Sequence, residues 1–246
     1  MQPHKIVSPS EWLDARKALL AKEKEYTHLR DRISAERRAL PWVKVEKNYV
    51  FDTPQGKKTL AELFGDKSQL IVNHFMLGPG WKDGCIGCSF GADHVEATLV
   101  HLAQRDVAYV AVSRAPLAEI EAYKKRMGWH FAWVSSFGSD FNYDFHVSFT
   151  PDELAKGKAE YNYEMIDPGI DELPGCSVFA RDDTGAVFHT YSSFGRGGEE
   201  VLGTYMLLDM TPKGRDEHGP HHSLMDWVKR HDEYDTSDKA GSCCHS

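Results

Sequence analysis

Hydrophobic residues recur at helical spacing near the start of the chain. Ser8, Pro9 and Glu11 form the pattern of a capping box with proline at the first helical position, so a helix is expected to begin there. Pro41 would end it. The pattern predicts one or two long amphipathic helices over residues 9 to 40. The apolar positions of this segment are Trp12, Leu13, Leu19, Leu20, Tyr26, Leu29 and Ile33.

From residue 48 onward, short apolar runs alternate with helical periodicity, which is typical of an α/β sheet. The most apolar run, Leu70 to Leu77, lacks strict alternation and is expected to be a central strand buried on both faces. A glycine-rich loop and a helix follow it. The other predicted elements are strands over 107–112 and 131–135, a helix opened by Pro116 and ended by Gly128, a β-hairpin over 176–191 and a short helix near 198–208.

Two segments carry weaker patterns. Residues 137 to 172 are aromatic and acidic with little periodicity, and they are predicted to be a loop that either walls a substrate cleft or packs as a cap. The residues from 211 onward are polar and rich in His and Asp, which predicts a flexible tail. The expected organisation is a helical arm over 1–44, an α/β domain over 45–210 and a tail over 211–246.

Composition and charge exclude several classes of protein. The chain of 246 residues has a formal net charge of -8, from 29 Lys and Arg against 37 Asp and Glu, so a nucleic acid is not an expected partner. No apolar stretch approaches the roughly 18 residues of a membrane span, and the first residues lack the apolar segment of a signal peptide. These features predict a cytoplasmic protein. Five cysteines, an odd number, argue against a disulfide scaffold and point to metal or redox chemistry.

Cys85 and Cys88 are the leading candidates for that chemistry, because they stand at the predicted start of a helix that follows the central strand. Unpaired backbone N–H groups at a helix start lower the pKa of a thiol, and Cys88 is close enough on the first turn to form an intramolecular disulfide. The pattern indicates a dithiol–disulfide pair in which Cys85 attacks and Cys88 resolves. Lys82 in the preceding loop either lowers the pKa of Cys85 or is simply solvated.

Several alternatives stay open at this point. A metal site would use Cys85 and Cys88 with His94, or with the adjacent pair Cys243 and Cys244. Cys243 and Cys244 would otherwise carry electrons or metal to the first pair, or belong to a tail without function. A domain without redox activity that only binds a partner is the remaining alternative.

Four further residues near these segments are singled out by the sequence. Cys176 is expected to be a small buried residue rather than a third redox thiol, and His74 a buried core histidine. Pro174 and Gly175 precede the predicted hairpin. A cis bond before Pro174 would place them against the cysteine loop, although trans is the common isomer. Pro174 and Gly175, with Trp81 and Lys82, are the candidate residues for binding a substrate or partner.

The order of elements resembles the thioredoxin fold, with a strand, a Cys-Xaa-Xaa-Cys at a helix start, a further strand and helix, and a proline before a hairpin. The stretch from Phe51 to Phe64 resembles the peroxiredoxin branch of that superfamily. More closely, over roughly residues 5 to 234, the chain resembles a bacterial family of uncharacterised thioredoxin-like proteins described as predicted dithiol-disulfide oxidoreductases. The matching segments are residues 37–42, 85–90, 139–145, 189–192, 196–197 and 208–215.

The resemblance implies a redox-active disulfide that needs no cofactor and acts on a thiol or disulfide of a protein or small molecule. Thioredoxins place Trp directly before the first cysteine, whereas this chain has Gly84 there and Trp81 four positions before Cys85. Peroxiredoxins place Thr or Ser where Lys82 stands. A thiol-dependent peroxidase on the same pair is therefore the alternative function. Packing of the N-terminal helix on a second subunit would form a homodimer.

Overall fold

The structure, a computed structural model, describes residues 4 to 234. The chain divides into two units, the first ending at Trp42 and the second beginning at Val43. The first unit is built around a single helix, α1 (Pro9–Arg38), with the predicted capping box: the Glu11 N–H donates to Ser8 Oγ (3.3 Å) and the Ser8 N–H donates to the Glu11 carboxylate (3.0 Å). The predicted long helix is confirmed. No residue of α1 is buried, and its packing on a second copy stays a prediction.

The described part of the second unit, residues 43 to 234, contains ten strands. They are β1 (Val43–Lys44), β2 (Val50–Thr53), β3 (Gly56–Thr59), β4 (Gln69–His74), β5 (Val107–Ser113), β6 (Ala132–Ser135), β7 (Ala159–Tyr161), β8 (Glu164–Ile166), β9 (Gly175–Arg181) and β10 (Val187–Phe194). Eight of them form one mixed sheet in the order β1-β10-β9-β4-β5-β6-β2-β3, and β7 pairs with β8 separately. Strands β4, β5 and β6 run parallel, and the other pairs are antiparallel.

Helices connect and cover these strands. They are α2 (Ile86–Ala92), α3 (Leu99–Gln104), α4 (Leu117–Met127), α5 (Phe141–Asp144), α6 (Pro151–Lys156) and α7 (Gly203–Leu208), with 3₁₀ helices at Ala61–Phe64, Glu96–Thr98, Gly195–Val201 and Leu224–Asp226. Within residues 4 to 234, no helix combines the length and the apolar character that crossing a membrane requires.

The sheet carries an apolar core on each face. Ala111 and Val112 are neighbours on β5 and point to opposite faces, so they belong to different cores. The Ala111 core includes Ile120 of α4 and Cys88 of α2, and the Val112 core includes Phe141 of α5. Strand β4 is central as predicted, but only its alternate residues Leu70, Val72 and His74 are fully buried. The predicted α/β class is confirmed.

Residues 137 to 172, predicted to be a loop, contain two helices and a hairpin. Thr150 caps α6 as Ser8 caps α1: its Oγ1 accepts the N–H of Glu153 (3.3 Å), and the Glu153 carboxylate accepts the N–H of Thr150 (2.7 Å). The elements here are only three to six residues long, too short to repeat a hydrophobic period. Apolar side chains of this segment form a third core together with Phe194 of β10. The buried residues of this core are Val147, Phe149, Ala159, Tyr161 and Phe194.

Residues 211 to 234 lie against the sheet domain, and we call this segment the strap. Val228 is only 4% exposed and packs in a cluster with Phe90 and Tyr205. Arg126 of α4 donates to Asp232 of the strap (2.7 Å). The segment differs from the flexible polar tail expected from residue 211, because a few apolar side chains and ion pairs hold it against α2 and α4. Cys243 and Cys244 lie outside the described residues.

Candidate thiol site

Cys85 and Cys88 lie at the start of α2, where the chain has left the carboxyl end of the central strand β4. Cys85 directly precedes the first helical residue, and its N–H donates to the carbonyl of Met76 (3.1 Å). Cys88 lies in the first turn and is buried, whereas Cys85 is partly exposed. The structure therefore places the pair at the strand–loop–helix junction that the sequence predicted.

Gly84 allows the loop to approach the core this closely. A Cβ at this position would lie 2.6 Å from the ring of Phe75 and 2.8 Å from the ring of Tyr123, so only glycine fits. The tryptophan that thioredoxins carry here has no room in this protein. The carbonyl of Gly84 instead accepts two hydrogen bonds from the guanidinium of Arg230, at 2.7 Å from Nη2 and 3.1 Å from Nε.

The surroundings of Cys85 favour its thiolate. The pKa of Cys85 is lowered to about 6, and the largest cause is a hydrogen bond from the Cys88 thiol. The backbone N–H groups of Cys88 and Gly87 and the positive charge of Arg230 lower it further, while burial opposes them. At neutral pH the side chain of Cys85 is therefore mainly a nucleophilic thiolate.

Cys88 is held in the opposite state. Its hydrogen bond to Cys85, its burial and the negative charge of the Cys85 thiolate all raise the pKa of Cys88 above its usual range. The carboxylate of Glu172 raises this pKa further, and the backbone N–H of Met76 partly offsets these effects. Cys88 is therefore a thiol at neutral pH and cannot attack until it loses its proton.

Arg230 links the strap to the start of α2 through two polar side chains. Its Nε donates to Tyr123 Oη (3.0 Å), and Tyr123 Oη lies 2.8 Å from Ser89 Oγ. Ser89 Oγ donates in turn to the carbonyl of Cys85 (2.8 Å). The position of the strap is thereby coupled to the backbone that carries Cys85.

Glu172 is a second charged residue that the sequence did not single out. Its side chain is only 1% exposed, and it accepts hydrogen bonds from Arg114 Nε and from Ser148 Oγ (2.9 Å). Arg114 also donates to Tyr143 Oη and to Asp171, both at 2.7 Å. Burial raises the pKa of Glu172 to about 7 although the charge of Arg114 opposes this. A buried carboxyl group that titrates near neutral pH thus influences Cys88.

The two loop residues that the sequence singled out, Trp81 and Lys82, lie in different surroundings, and their role in binding a substrate stays a prediction. Lys82 is exposed, and the positive charge that lowers the pKa of Cys85 is that of Arg230. Trp81 is partly buried and packs against the core that contains Cys88. Arg230 lies in the strap, and no motif in the sequence marks it. Among the residues near Cys85 in the sequence, only Lys82 could be predicted as a nearby cation.

Pro174 and Gly175 lie beside the segment that leads to the cysteines. Gly175 of β9 pairs with His74 of β4, and His74 lies two positions before Met76 in the chain. The backbone of Met76 accepts the N–H of Cys85 and donates to the sulfur of Cys88. The bond before Pro174 is trans, since residues 4 to 234 contain no cis peptide bond. The carbonyl of Pro174 accepts a hydrogen bond from Tyr161 Oη (2.7 Å). Their role in binding a substrate stays a prediction.

His94, the metal ligand that the alternative would use, has both ring nitrogens engaged. Nδ1 lies 2.7 Å from the carbonyl of Phe90, and Nε2 lies 2.8 Å from Thr204 Oγ1. In the part of the chain that the structure describes, no three His, Cys, Asp or Glu side chains are arranged to hold a metal ion. The described residues therefore do not provide the Cys85, Cys88 and His94 ligand set.

The two remaining residues of the sequence analysis lie in the sheet. Cys176 of β9 pairs opposite Asn73 of β4 and is partly exposed rather than fully buried as expected. Desolvation raises its pKa to about 11. His74 is 1% exposed, its Nε2 lies 2.8 Å from Ser177 Oγ, and burial lowers its pKa to about 3. His74 thus belongs to the packed interior of the sheet, whereas Cys176 keeps some exposure to solvent.

A family model described as a bacterial protein of unknown function, DUF899, matches residues 1 to 234. The chain belongs to this family. Membership of DUF899 confirms that the chain is a member of a bacterial family, as its sequence segments indicated. The comparison with curated proteins finds no match.

Solved structures similar to this DUF899 protein include peroxiredoxins. A mutant of PrxQ from Xylella fastidiosa is 14% identical, with 68% of this chain and 94% of that chain covered and a TM-score of 0.43. The peroxidoxin BcpB from Mycobacterium tuberculosis is 13% identical, with 67% and 95% covered and a TM-score of 0.42. The mitochondrial 2-Cys peroxiredoxin from Plasmodium falciparum is 14% identical, with 65% and 88% covered and a TM-score of 0.39. At these identities the likeness concerns the fold alone.

Proposed function

We propose that this DUF899 protein is a dithiol–disulfide oxidoreductase that works through Cys85 and Cys88. The Cys85 thiolate attacks one sulfur of a substrate disulfide, and the other substrate sulfur leaves as a thiolate that takes up a proton. Cys88 then loses its proton and attacks Cys85 Sγ, which forms the Cys85–Cys88 disulfide and releases the second substrate thiolate. Two electrons pass to the substrate. The reverse sequence oxidises a substrate dithiol.

The opposite pKa shifts of the two cysteines carry this proposal. Cys85 has a pKa lowered to about 6 and is partly exposed, so it can meet a substrate as a thiolate. Cys88 is buried with a raised pKa, so it reacts only with a partner already bound to Cys85. This division supports an attacking and a resolving sulfur in that order.

The test is a redox titration of the full chain carrying Cys243→Ser and Cys244→Ser, equilibrated in glutathione buffers and trapped with an alkylating reagent. Mass spectrometry of the peptides then counts the free thiols at each poise. The expected result is a single two-electron transition between the dithiol and the Cys85–Cys88 disulfide, absent in Cys85→Ser and Cys88→Ser. A chain that stays reduced at Cys85 and Cys88 under every buffer would contradict the proposal.

Peroxidase activity on the same pair is the second candidate function. The guanidinium of Arg230 beside a Cys85 thiolate favours it, because a cation of this kind can stabilise negative charge that develops on a peroxide oxygen. The Cys85 thiolate would attack the peroxide and become a sulfenic acid, and Cys88 would condense with it to give the disulfide and water. Consumption of one hydroperoxide for each Cys85–Cys88 disulfide formed would support this reaction. Disulfide formation with substrate disulfides and not with hydroperoxides would contradict it.

A further inference from the structure

The strap crosses the start of α2 at Cys85. Gly84, the residue before Cys85, accepts two hydrogen bonds at its carbonyl from Arg230 of the strap, at 2.7 Å and 3.1 Å. Gly87 lies two positions after Cys85, and a Cβ placed on it would lie 3.5 Å from the side chain of Leu224, which also belongs to the strap. The strap therefore contacts the chain both before and after Cys85.

Apolar side chains of the strap lie close to the reactive sulfur. The Cβ position on Gly87 that is 3.5 Å from Leu224 is only 3.9 Å from Cys85 Sγ, so the sulfur and the leucine side chain border the same small space. Ile86, which directly follows Cys85, packs with Leu224 against the cluster that contains Val228. One flank of Cys85 is therefore covered by the strap, although the residue remains partly exposed.

The covering part of the strap is held in place by its own turn and by contacts beyond it. Leu224 begins a 3₁₀ turn (Leu224–Asp226), and its carbonyl accepts the N–H of the buried Val228 at 2.9 Å. Further along the strap, His231 Nδ1 lies 2.7 Å from a carboxylate oxygen of Asp93, the C-cap of α2. Leu224 is thus fixed over α2, and the covered flank of Cys85 opens only if the strap moves.

Cys85 is the sulfur that a substrate has to reach. Cys88 is buried, so a substrate disulfide must bring one of its sulfurs to Cys85 Sγ. A disulfide of a folded protein brings with it the backbone on both sides of each cysteine, whereas a small disulfide carries only a short chain on each sulfur. Beside the strap, this difference in bulk decides which disulfide can reach the sulfur.

We propose that the strap restricts Cys85 to the disulfides of small thiols and excludes those of folded proteins; this rests on the proposed function of the cysteine pair. The small disulfide approaches the exposed side of Cys85, and its two sulfurs leave in turn as thiols while Cys85 and Cys88 form their disulfide. The substrate gains the two electrons and two protons that the dithiol loses. A protein disulfide at the same sulfur collides with the strap around Leu224, and clashes of this kind are a general means of rejecting a competing partner.

The first experiment compares 2-hydroxyethyl disulfide, which is small and uncharged, with the disulfides of insulin. The full chain carrying Cys243→Ser and Cys244→Ser is reduced, freed of reductant and mixed with each disulfide, and alkylation with peptide mass analysis follows formation of the Cys85–Cys88 disulfide. Dithiothreitol, whose thiols are uncovered, gives the intrinsic ratio of the two rates. The protein is expected to prefer the small disulfide at least about tenfold more strongly than dithiothreitol does. An equal ratio would overturn the restriction.

Leu224→Ala then tests whether the strap causes this preference. The shorter side chain leaves room beside Cys85 Sγ and keeps Arg230 in place, so the rate with insulin is expected to rise at least about fivefold relative to the rate with the small disulfide. Met225→Ala is the matched control, because Met225 follows in the same turn and is 51% exposed. This control should leave both rates unchanged.

Val228→Asp is a stronger form of the same change. A carboxylate in the buried cluster is expected to detach the strap, which faster cleavage by trypsin after Lys229 would show, and the preference for the small disulfide should fall further. A preference that persists in Leu224→Ala and in Val228→Asp with a detached strap would overturn the restriction and leave the proposed function intact. If neither disulfide oxidises the Cys85–Cys88 pair in any of these proteins, the proposed function itself fails, so the two failures are distinguishable.

Discussion

The two sulfurs of the site both lie at the start of α2, Cys85 just before its first residue and Cys88 in its first turn, yet their surroundings differ. On the strap side, Cys85 is partly exposed and its thiolate is favoured by Arg230 and by backbone N–H groups. On the inner side, Cys88 is buried, and the negative charge of Glu172 raises its pKa. The Cys-Xaa-Xaa-Cys pattern fixes only the distance between the sulfurs. Residues far away in the chain decide which sulfur reacts first.

A chromogenic aromatic disulfide separates the two sides in one assay. Attack by Cys85 releases the first chromophore, and attack by Cys88 on the mixed disulfide releases the second. The rate of the first phase measures the reactivity of Cys85 on the strap side, and the rate of the second phase measures the reactivity of Cys88 on the inner side. The reference protein for all predictions is the Cys243→Ser, Cys244→Ser chain, in which the thiols of Cys243 and Cys244 cannot contribute to chromophore release.

The largest expected effect is the loss of each sulfur in turn. Cys85→Ser should abolish both phases, slowing chromophore release by at least about 100-fold, because the remaining thiol Cys88 is buried and protonated. Cys88→Ser should keep the first phase and abolish the second. Stopped-flow absorbance measures both. A second phase that survives in Cys88→Ser, or a first phase that survives in Cys85→Ser, would reverse or remove the roles given to the two sulfurs.

Glu172→Gln tests the inner side through pH. Folding raises the pKa of Glu172 from 4.5 in the unfolded chain to about 7. Its contribution to the free energy of unfolding is therefore fully present below pH 4.5 and is lost as the pH rises through 7. The reference protein should therefore lose about 2.5 kcal/mol of unfolding free energy between pH 5 and pH 8 relative to Glu172→Gln. Urea denaturation at the two pH values measures this.

The same variant should also change the resolving step. Removing the negative charge of Glu172 lowers the pKa of Cys88, so the second phase is expected to accelerate a few-fold at pH 8 while the first phase stays unchanged. Ser148→Ala removes one hydrogen bond to Glu172 but keeps its charge, and it is the matched control. An unchanged second phase in Glu172→Gln would show that Glu172 has only a structural role.

Cys88→Ala compared with Cys88→Ser isolates the contact between the two sides. The hydrogen bond from Cys88 is the largest cause of the lowered pKa of Cys85, and serine can still donate whereas alanine cannot. A charge-assisted hydrogen bond of about 1.5–3 kcal/mol corresponds to a rise of roughly one to two pKa units in Cys88→Ala. The midpoint of the alkylation rate against pH is the readout, because thiolates of higher pKa are also more nucleophilic. Equal midpoints in the two variants would contradict this cause.

Local signals were sufficient for the elements that the sequence predicted. The capping box at Ser8 located the start of α1, and the apolar run from Leu70 located the central strand on which the thiol site is built. The same capping signal stands at Thr150 and Glu153, but without periodic residues after it the helix α6 was not predicted. Such a signal can be recognised in the sequence only where the helix is long enough to show its hydrophobic period.

The electrostatic half of the site could not be predicted, because it depends on contacts between distant segments. Cys85 and Cys88 are only three positions apart in sequence and form a recognisable pattern. Arg230 acts on Cys85 only because the strap packs through side chains such as Val228, and Glu172 acts on Cys88 only because its loop folds back onto Arg114. Neither arrangement leaves a periodic trace in the sequence.

The smallest expected effect concerns Arg230 and the pKa of Cys85 on the strap side. Arg230→Gln removes one positive charge and is expected to raise the midpoint of Cys85 alkylation by about half a pKa unit in low salt, and by less at about 1 M salt, where charges are screened. Arg230→Lys keeps the charge and should restore most of the shift. Arg126→Gln removes the ion pairs of Arg126 with Asp232 and Glu233 of the strap and with Asp83 of the cysteine loop, but it leaves the Arg230 charge in place. An equal shift in Arg126→Gln and Arg230→Gln would mean that the strap acts by closing over Cys85, whereas a shift confined to Arg230→Gln and reversed by lysine means that it acts through one charge.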